Sequence, residues 1–350
     1  MGSGSLEAVK QLRALMEKGG YQILGLLVRN VNSDEPLRSD SFHNVHQGYP
    51  DETLVRFLKA RDWNVPRAHN MLVDCLRWRV ENEIDNILAK PISPADLYRA
   101  VRDTQLVGVS GYSKKGQPVF AIGAGLSTFD RASVHYYLQS HIQINEYRDR
   151  VVFPTATKKR GDYVGTCLKV LDMTGLRISA LSQIKLLTII STVDDLNYPE
   201  KTETYYIVNA PYVFSACWKV VKPLLQERTR RKIQVLQGCG RDELLKVMDY
   251  SSLPHFCLRE GSGSSRHSAT GTESCYSLDH DFHQQLYTYI REQSLMQNPV
   301  APISQGSFHV DVPGSGTEES EIVQSIECEL QKCGYQNGIN HSIEAIKISD

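Results

Sequence analysis

Downstream of Leu106 the hydrophobic period changes repeatedly, and that alternation limits the fold more than any other feature of the chain. "LVGVSGYSKKGQPVFAIG" reads as two short strands around a Lys114-Lys115-Gly116 turn. Helix-length segments at 130–150, 179–195, 212–226 and 241–248 then separate apolar strands at 164–172, 203–209 and 232–237. Strands so far apart in sequence cannot close hairpins. They need crossovers of a dozen residues or more, and such crossovers are right-handed and run over the sheet face. The expected class is α/β, with a mixed, largely parallel β-sheet flanked by helices.

Helical patterns precede this region. Leu6, Val9, Leu12, Arg13 and Met16 recur at helical spacing over 6–17, and the paired Gly19-Gly20 is expected to end that helix. The apolar "ILGLLV" that follows has no period and reads as an insert. In "DETLVRFLKARDW", Leu54, Val55, Phe57 and Leu58 share one face. Asn64 should cap a second helix, with Pro66 in its first turn and Ala68, Met71, Leu72, Cys75, Leu76 and Arg79 on its stripe. "ISPADLYRAVR" has Ser93 as a candidate cap, Pro94 in the first turn and Asp96 as the capping-box acid. Past "SSLPHFCLREG" the spacer "SGSSRHSATGTES" has too little apolar surface to fold, and one amphipathic helix follows through Phe282, Leu286, Tyr289 and Ile290. The organisation expected is a helix and variable insert over 1–50, a helical lobe over 51–92, the main domain over 93–260, and a flexible spacer, short helix and mostly disordered tail over 261–350.

Composition removes several function classes. The net charge of −1 argues against nucleic-acid binding through a general positive field, so any anion site must be local. None of the eight cysteines forms a CxxC pair or a zinc spacing, which fits reduced, buried thiols in a cytosolic setting and no metal site. The start "MGSGSLEAVK" lacks the apolar run of a secretory signal, and no apolar stretch is long enough to span a bilayer. No GxSxG elbow, HExxH or P-loop occurs, so no catalytic residue is assigned. Gly123 and Gly125 hold the first two places of a dinucleotide fingerprint, but Thr128 holds the third; a plain glycine turn is the simpler reading.

Two crossovers are apolar nearly all round: "SALSQIKLLTIISTVDDL" and "YVFSACWKVVKPLL". Such a helix is buried in a core, faces a membrane or lines an apolar cavity, and ordinary core is the plainer choice. "LLQERTRRKIQVL" crowds Arg228, Arg230, Arg231 and Lys232 against a strand. As a bare charge run this is a solvated helix end. Lys232 differs because it abuts "IQVL". Glu200, in the turn before a strand, reads alone as a solvated carboxylate, and Asn209-Ala210-Pro211 as a strand-to-helix corner.

Taken together, "TLVRFLKARDWNVPRAHNMLVDCLRWR", "GQPVF", "VLDMTGL", "NYPEKTETYYIVNAPYVFSACWKVVKPLL" and "SSLPHF" resemble the CRAL-TRIO family, in particular its Sec-fourteen-like phosphatidylinositol transfer proteins, over about residues 51–258. The resemblance implies a helical N-terminal lobe against a mixed sheet enclosing a hydrophobic lipid pocket. It implies that 212–226 is a gate helix, with Phe214, Trp218, Val221 and Leu225 toward the lipid. It implies a headgroup site of Arg61, Glu200, Thr229 and Lys232: Lys232 a point charge for the phosphodiester, Thr229 a donor, Arg61 and Glu200 partners for inositol hydroxyls or for each other. Arg228, Arg230 and Arg231 are then expected to face solvent or an anionic membrane.

One departure bears on selectivity. Family members that also carry phosphatidylcholine have small hydroxyl residues on the strand before "LD" and a tyrosine after "PV"; this chain has Cys167, Lys169 and Phe120. An ammonium repels choline and a phenyl ring cannot donate to its phosphate, so an anionic lipid is favoured. The expectation is a cytoplasmic, non-enzymatic carrier, peripheral on membranes, needing no cofactor beyond its bound phospholipid. Its partners would be phosphatidylinositol, other phospholipids, transient membrane surfaces and lipid kinases, with no nucleic acid. The rival readings are a nucleotide-dependent α/β enzyme and a CRAL-TRIO carrier of a non-phospholipid hydrophobic ligand.

Overall fold

The structure, a computed structural model, describes residues 3–29, 50–177, 183–258 and 274–296, with Ser325 and Cys328. The expectations for "SGSSRHSATGTES", for the insert after Arg29 and for most of the tail lie outside the described residues.

Three helices form the N-terminal lobe: α1 (Ser3–Arg29), α2 (Asp51–Lys59) and α3 (Val65–Glu81). Val9, Leu12 and Met16 of α1 bury against Leu54, Phe57, Leu58, Ala68 and Leu72. Asn64 caps α3 by accepting from the Arg67 amide at 3.0 Å. Contrary to expectation, α1 does not break at Gly19-Gly20. Each glycine costs a helix about 1 kcal/mol relative to alanine, a penalty and not a prohibition.

A 3₁₀ segment (Ile84–Ala89) leads to α4 (Ala95–Thr104). Ser93 does not cap α4. Pro94 occupies the cap position with no side-chain hydrogen bond, so the helix starts one residue beyond the reach expected for the serine hydroxyl.

The described strands form one sheet in the order β1 (Val107–Tyr112), β2 (Pro118–Ile122), β3 (Cys167–Asp172), β4 (Thr202–Val208), β5 (Ile233–Val235). β1 and β2 are an antiparallel hairpin; the other pairings are parallel. The register sets Val109, Phe120, Lys169, Tyr205 and Ile233 side by side across all five strands. One sheet face carries this rung. The opposite face, with Val119, Ala121, Leu168 and Val170, packs on Leu244 and Met248, near α10 (Arg241–Val247).

On the rung face, α5 (Val134–Tyr147) runs through a π-turn (Arg148–Val152) into α6 (Phe153–Arg160), a longer and interrupted element than the helix expected over 130–150. α7 (Ile184–Asn197) and the C-terminal α11 (Asp281–Met296) join it, and Phe282, Leu286 and Ile290 bury against Phe120, Leu138 and Ile142. α8 (Tyr212–Val221) covers the ends of β3–β5. It stops five residues short of the expected boundary because Pro223, in the following 3₁₀ turn (Lys222–Leu224), cannot continue a helix. A one-turn helix, α9 (Glu227–Arg230), precedes β5.

The glycine pair after β2 has a packing explanation. A Cβ on Gly125 would come within 2.3 Å of the Thr174 carbonyl oxygen, so the β2 and β3 exits approach too closely for any other residue. No helix opens there; the next begins at Val134.

Candidate headgroup pocket

Three loops meet where β4 and β5 begin. Glu200 enters β4 from a left-handed backbone conformation, φ 57°, uncommon outside glycine. Its carbonyl accepts from Arg56 Nη1 of α2 at 2.5 Å, and Arg56 Nη2 also donates to the Tyr163 hydroxyl at 3.2 Å. The N-terminal lobe thus fixes this turn. Its carboxylate takes Lys232 Nζ on Oε2 at 2.6 Å and Arg228 Nε on Oε1 at 3.6 Å. Lys232 is held in turn by the sheet, its carbonyl accepting from the Tyr205 amide at 2.9 Å.

Glu200, Thr229, Lys232 and Arg228 line one polar pocket. Lys232 and Arg228 are each 24% exposed and Glu200 17%, so the cluster is reachable while its charges answer one another. Such a half-exposed pair adds at most about 1 kcal/mol to stability. Arg228 therefore departs from expectation: it turns inward, drawn by Glu200 and by the Ala60 carbonyl, which it also contacts. Arg230 and Arg231 pair with Glu227 on the outer side. Arg61 stands beside the pocket and not in its wall. Its Nη1 donates to the same Ala60 carbonyl at 2.9 Å, and burial, then the neighbouring Arg228 charge, lowers its pKa.

Further in, Lys169 Nζ lies 3.3 Å from Asp194 Oδ2 and 5.5 Å from the Tyr205 ring centre. Asp194 Oδ1 also contacts His141 Nε2 at 2.7 Å and Asn145 Nδ2 at 2.8 Å. Burial works against both charges. For Lys169 it is outweighed by Tyr205 and Asp194, which hold the ammonium above its ordinary pKa; for Asp194, His141 and Lys169 hold the carboxyl well below its own. Lys201 and Arg148 share Asp149, at 2.9 and 2.8 Å. Asp195, next to Asp194, lines the pocket with no hydrogen bond or ion pair among the described residues, and burial raises its pKa.

The positions singled out for selectivity lie along the same sheet face. Phe120 is buried edge-on to Phe282, ring centres 6.1 Å apart, and the buried Cys167 thiol lies 3.8 Å from Thr202 Oγ1. On α8, Phe214 is buried and stacks on Trp218 with ring centres 5.8 Å apart, and Trp218 and Val221 are half-buried; Leu225, expected on the same helix, lies beyond it, half-buried after the 3₁₀ turn. This helix is held to the sheet through Asn209, whose φ is 52° and whose Nδ2 donates to Asp172 Oδ1 at 2.9 Å.

Sequence reading missed Arg56, Arg148, Asp194, Asp195 and Lys201. "VDDLNYPEK" and "EYRDRVV" did carry a signal: adjacent charges inside segments otherwise committed to burial.

Comparison with known proteins now bears on this geometry. The CRAL/TRIO N-terminal domain matches residues 8–74 and the CRAL/TRIO domain residues 102–257. The SEC14 cytosolic factor of Eremothecium gossypii is 31% identical over 215 residues, 58% of this chain and 67% of that protein. The chain belongs to the CRAL/TRIO family. Two further relatives, from Arabidopsis thaliana, carry the name phosphatidylinositol/phosphatidylcholine transfer protein: SFH9, 28% identical over 65% of this chain, and SFH13, 26% identical over 90%. The chain spans 39% and 52% of their respective lengths. The crystal structure of Sfh5 superposes with a TM-score of 0.52 at 17% identity, covering 83% of this chain and 98% of that one, a likeness of fold alone. Among the described residues no helix is long and apolar enough to cross a membrane.

Proposed function

We propose that this protein is a non-enzymatic phospholipid carrier that takes phosphatidylinositol by its headgroup in the Glu200–Lys232 pocket and moves it between membranes or presents it to lipid-modifying enzymes. The observation that carries this reading is the inward set of Glu200, Arg228, Thr229 and Lys232, four polar groups aimed into one recess beside an apolar helix. Lys232 and Arg228 meet the phosphodiester, while Thr229 and the displaced Glu200 carboxylate meet ring hydroxyls. Arg61, behind Arg228, strengthens the positive potential without touching the ligand.

Acyl chains would lie along the rung face beneath α8, each buried methylene adding roughly 0.8 kcal/mol to retention. That face is packed in this conformation, so loading requires α8 to move at a bilayer, with the protein acting peripherally from the cytosol. Phosphatidylcholine is refused, because its quaternary amine would meet Lys169 and its phosphate would find Phe120 in place of a hydroxyl.

Mass spectrometry of lipid extracted from the purified protein, with transfer between vesicles, tests the proposal. Phosphatidylinositol should be enriched over phosphatidylcholine, and Lys232→Ala should cut its transfer about tenfold or more while circular dichroism is unchanged. Equal loading of the two lipids would sink the selectivity; transfer unaffected by Lys232→Ala would sink the site.

A further inference from the structure

The mouth and the inner end of the pocket differ in what they leave open. At the mouth the Glu200 carboxylate is answered by Lys232 and Arg228. At the inner end three cations, Arg148, Lys169 and Lys201, face three carboxylates, Asp149, Asp194 and Asp195. Arg148 lines the pocket, its side chain is 3% exposed, and its Nη2 has no hydrogen-bond partner. The guanidinium is fixed on every other side. Nε donates to Asp149 Oδ1 at 2.8 Å and Nη1 to Asn145 Oδ1 at 2.7 Å, while the ring centres of Phe153 and Tyr198 lie 5.5 and 5.7 Å from its central carbon.

This arginine opens the π-turn between α5 and α6, a backbone irregularity frequent at functional sites. A guanidinium stays charged at every physiological pH, and a buried donor left open is costly. A preset donor, a pocket whose five lining cations outnumber Asp149, Asp194, Asp195 and Glu200 by one, and a recess in front of the donor together call for an anionic acceptor.

We infer that the inner end of the pocket is a second anion seat, which takes a phosphate carried by a lipid headgroup through Arg148 Nη2 with Lys169 beside it. Two headgroups supply that chemistry: an inositol ring bearing its own phosphate, or the phosphate of another acidic phospholipid such as phosphatidic acid. The inference rests on the pocket being a headgroup site, and the test separates the two.

The full chain is challenged, in a displacement assay with a fluorescent lipid, by vesicles of phosphatidylinositol, phosphatidylinositol monophosphate, phosphatidic acid or phosphatidylcholine. Wild type should prefer the monophosphate, or phosphatidic acid, over phosphatidylinositol by about tenfold or more, the range of one charge-assisted contact. Arg148→Gln should collapse whichever preference is found; loss of the first identifies a ring phosphate and loss of the second a separate acidic lipid. Should Arg148→Gln fail to fold, Lys169→Met replaces it, since Asp194 keeps His141 and Asn145. Neither preference in wild type, or a preference that survives both substitutions, overturns the second seat while leaving phosphatidylinositol binding at Lys232 intact. Loss of all lipid displacement in wild type removes the headgroup reading itself.

Discussion

Two clusters of buried charge, one at Glu146 and one in the Glu200 pocket, are built in opposite ways. On α5, Glu146 is enclosed by Arg79 at 2.8 Å, Arg150 at 2.6 Å and the Tyr198 hydroxyl at 2.7 Å, so each carboxylate oxygen is taken. Around it Phe120, Leu138, Ile142 and Leu286 are each 3% exposed or less. Beside β4–β5 the same residue types leave Arg148 Nη2 and the Asp195 carboxylate unmatched, and the edge strand is three residues long, half-buried and exposed in alternation. The contrast teaches that a closed ionic cluster serves stability and an open one serves a ligand. Counting charges alone would treat them as equivalent.

The sharpest way to break this comparison is Glu146→Gln. Leaving Arg79 and Arg150 short of a countercharge should cost about 3–5 kcal/mol in urea unfolding; a loss under about 1 kcal/mol would mean that the closed cluster is not a stability element. Acid supplies a second route. Burial opposes ionisation of Glu146, but Arg79 and Arg150 prevail and bring its pKa from 4.5 to about 2. Its folded pKa lies below the unfolded value, so its contribution of about 3 kcal/mol is present above pH ~4.5 and is lost as pH falls toward 2. In Glu146→Gln that part of the acid sensitivity should vanish. Next in size, Leu286→Ala should cost about 2–5 kcal/mol and Val235→Ala, on the half-buried edge, about 1 kcal/mol; equal losses would erase the distinction between the surroundings of the two clusters. Smallest of all, Lys232→Ala should change stability by less than about 1 kcal/mol despite its effect on transfer.

The sheet was legible because period and spacing are local properties. β3 and β5 lie inside the ranges read from "VGTCLKVLD" and "KIQVLQ", and β4 is displaced by one residue from "ETYYIVN". The helix caps and ends were less so: Ser93 gave way to Pro94, α1 ran through its glycines, and Pro223 shortened α8. Of the pocket, Glu200, Thr229 and Lys232 were reachable through family resemblance because they lie within 32 residues of one another, close to two adjoining strands. Arg56 and Arg148 were not: Arg56 acts across a long sequence separation, and Arg148, whose hydrogen-bond partners Asp149 and Asn145 are near neighbours, reaches the pocket wall only through the tertiary packing of the π-turn. Arg56 meets Glu200 across 144 residues, a closeness created by the tertiary fold.

The clasp between Asn209 and Asp172 has a mechanical consequence for α8. The helix is a ten-residue rod, about 15 Å long, tethered just before its first turn and uncoupled by Pro223 just after its last. Swinging it as a lever about the fixed end would displace Val221 furthest and Tyr212 least, lifting the rod at the side nearest Arg228 and Thr229. Headgroup capture and tail access would then be joined by a few residues of chain, and a lipid seated at one end would load the free arm of the other.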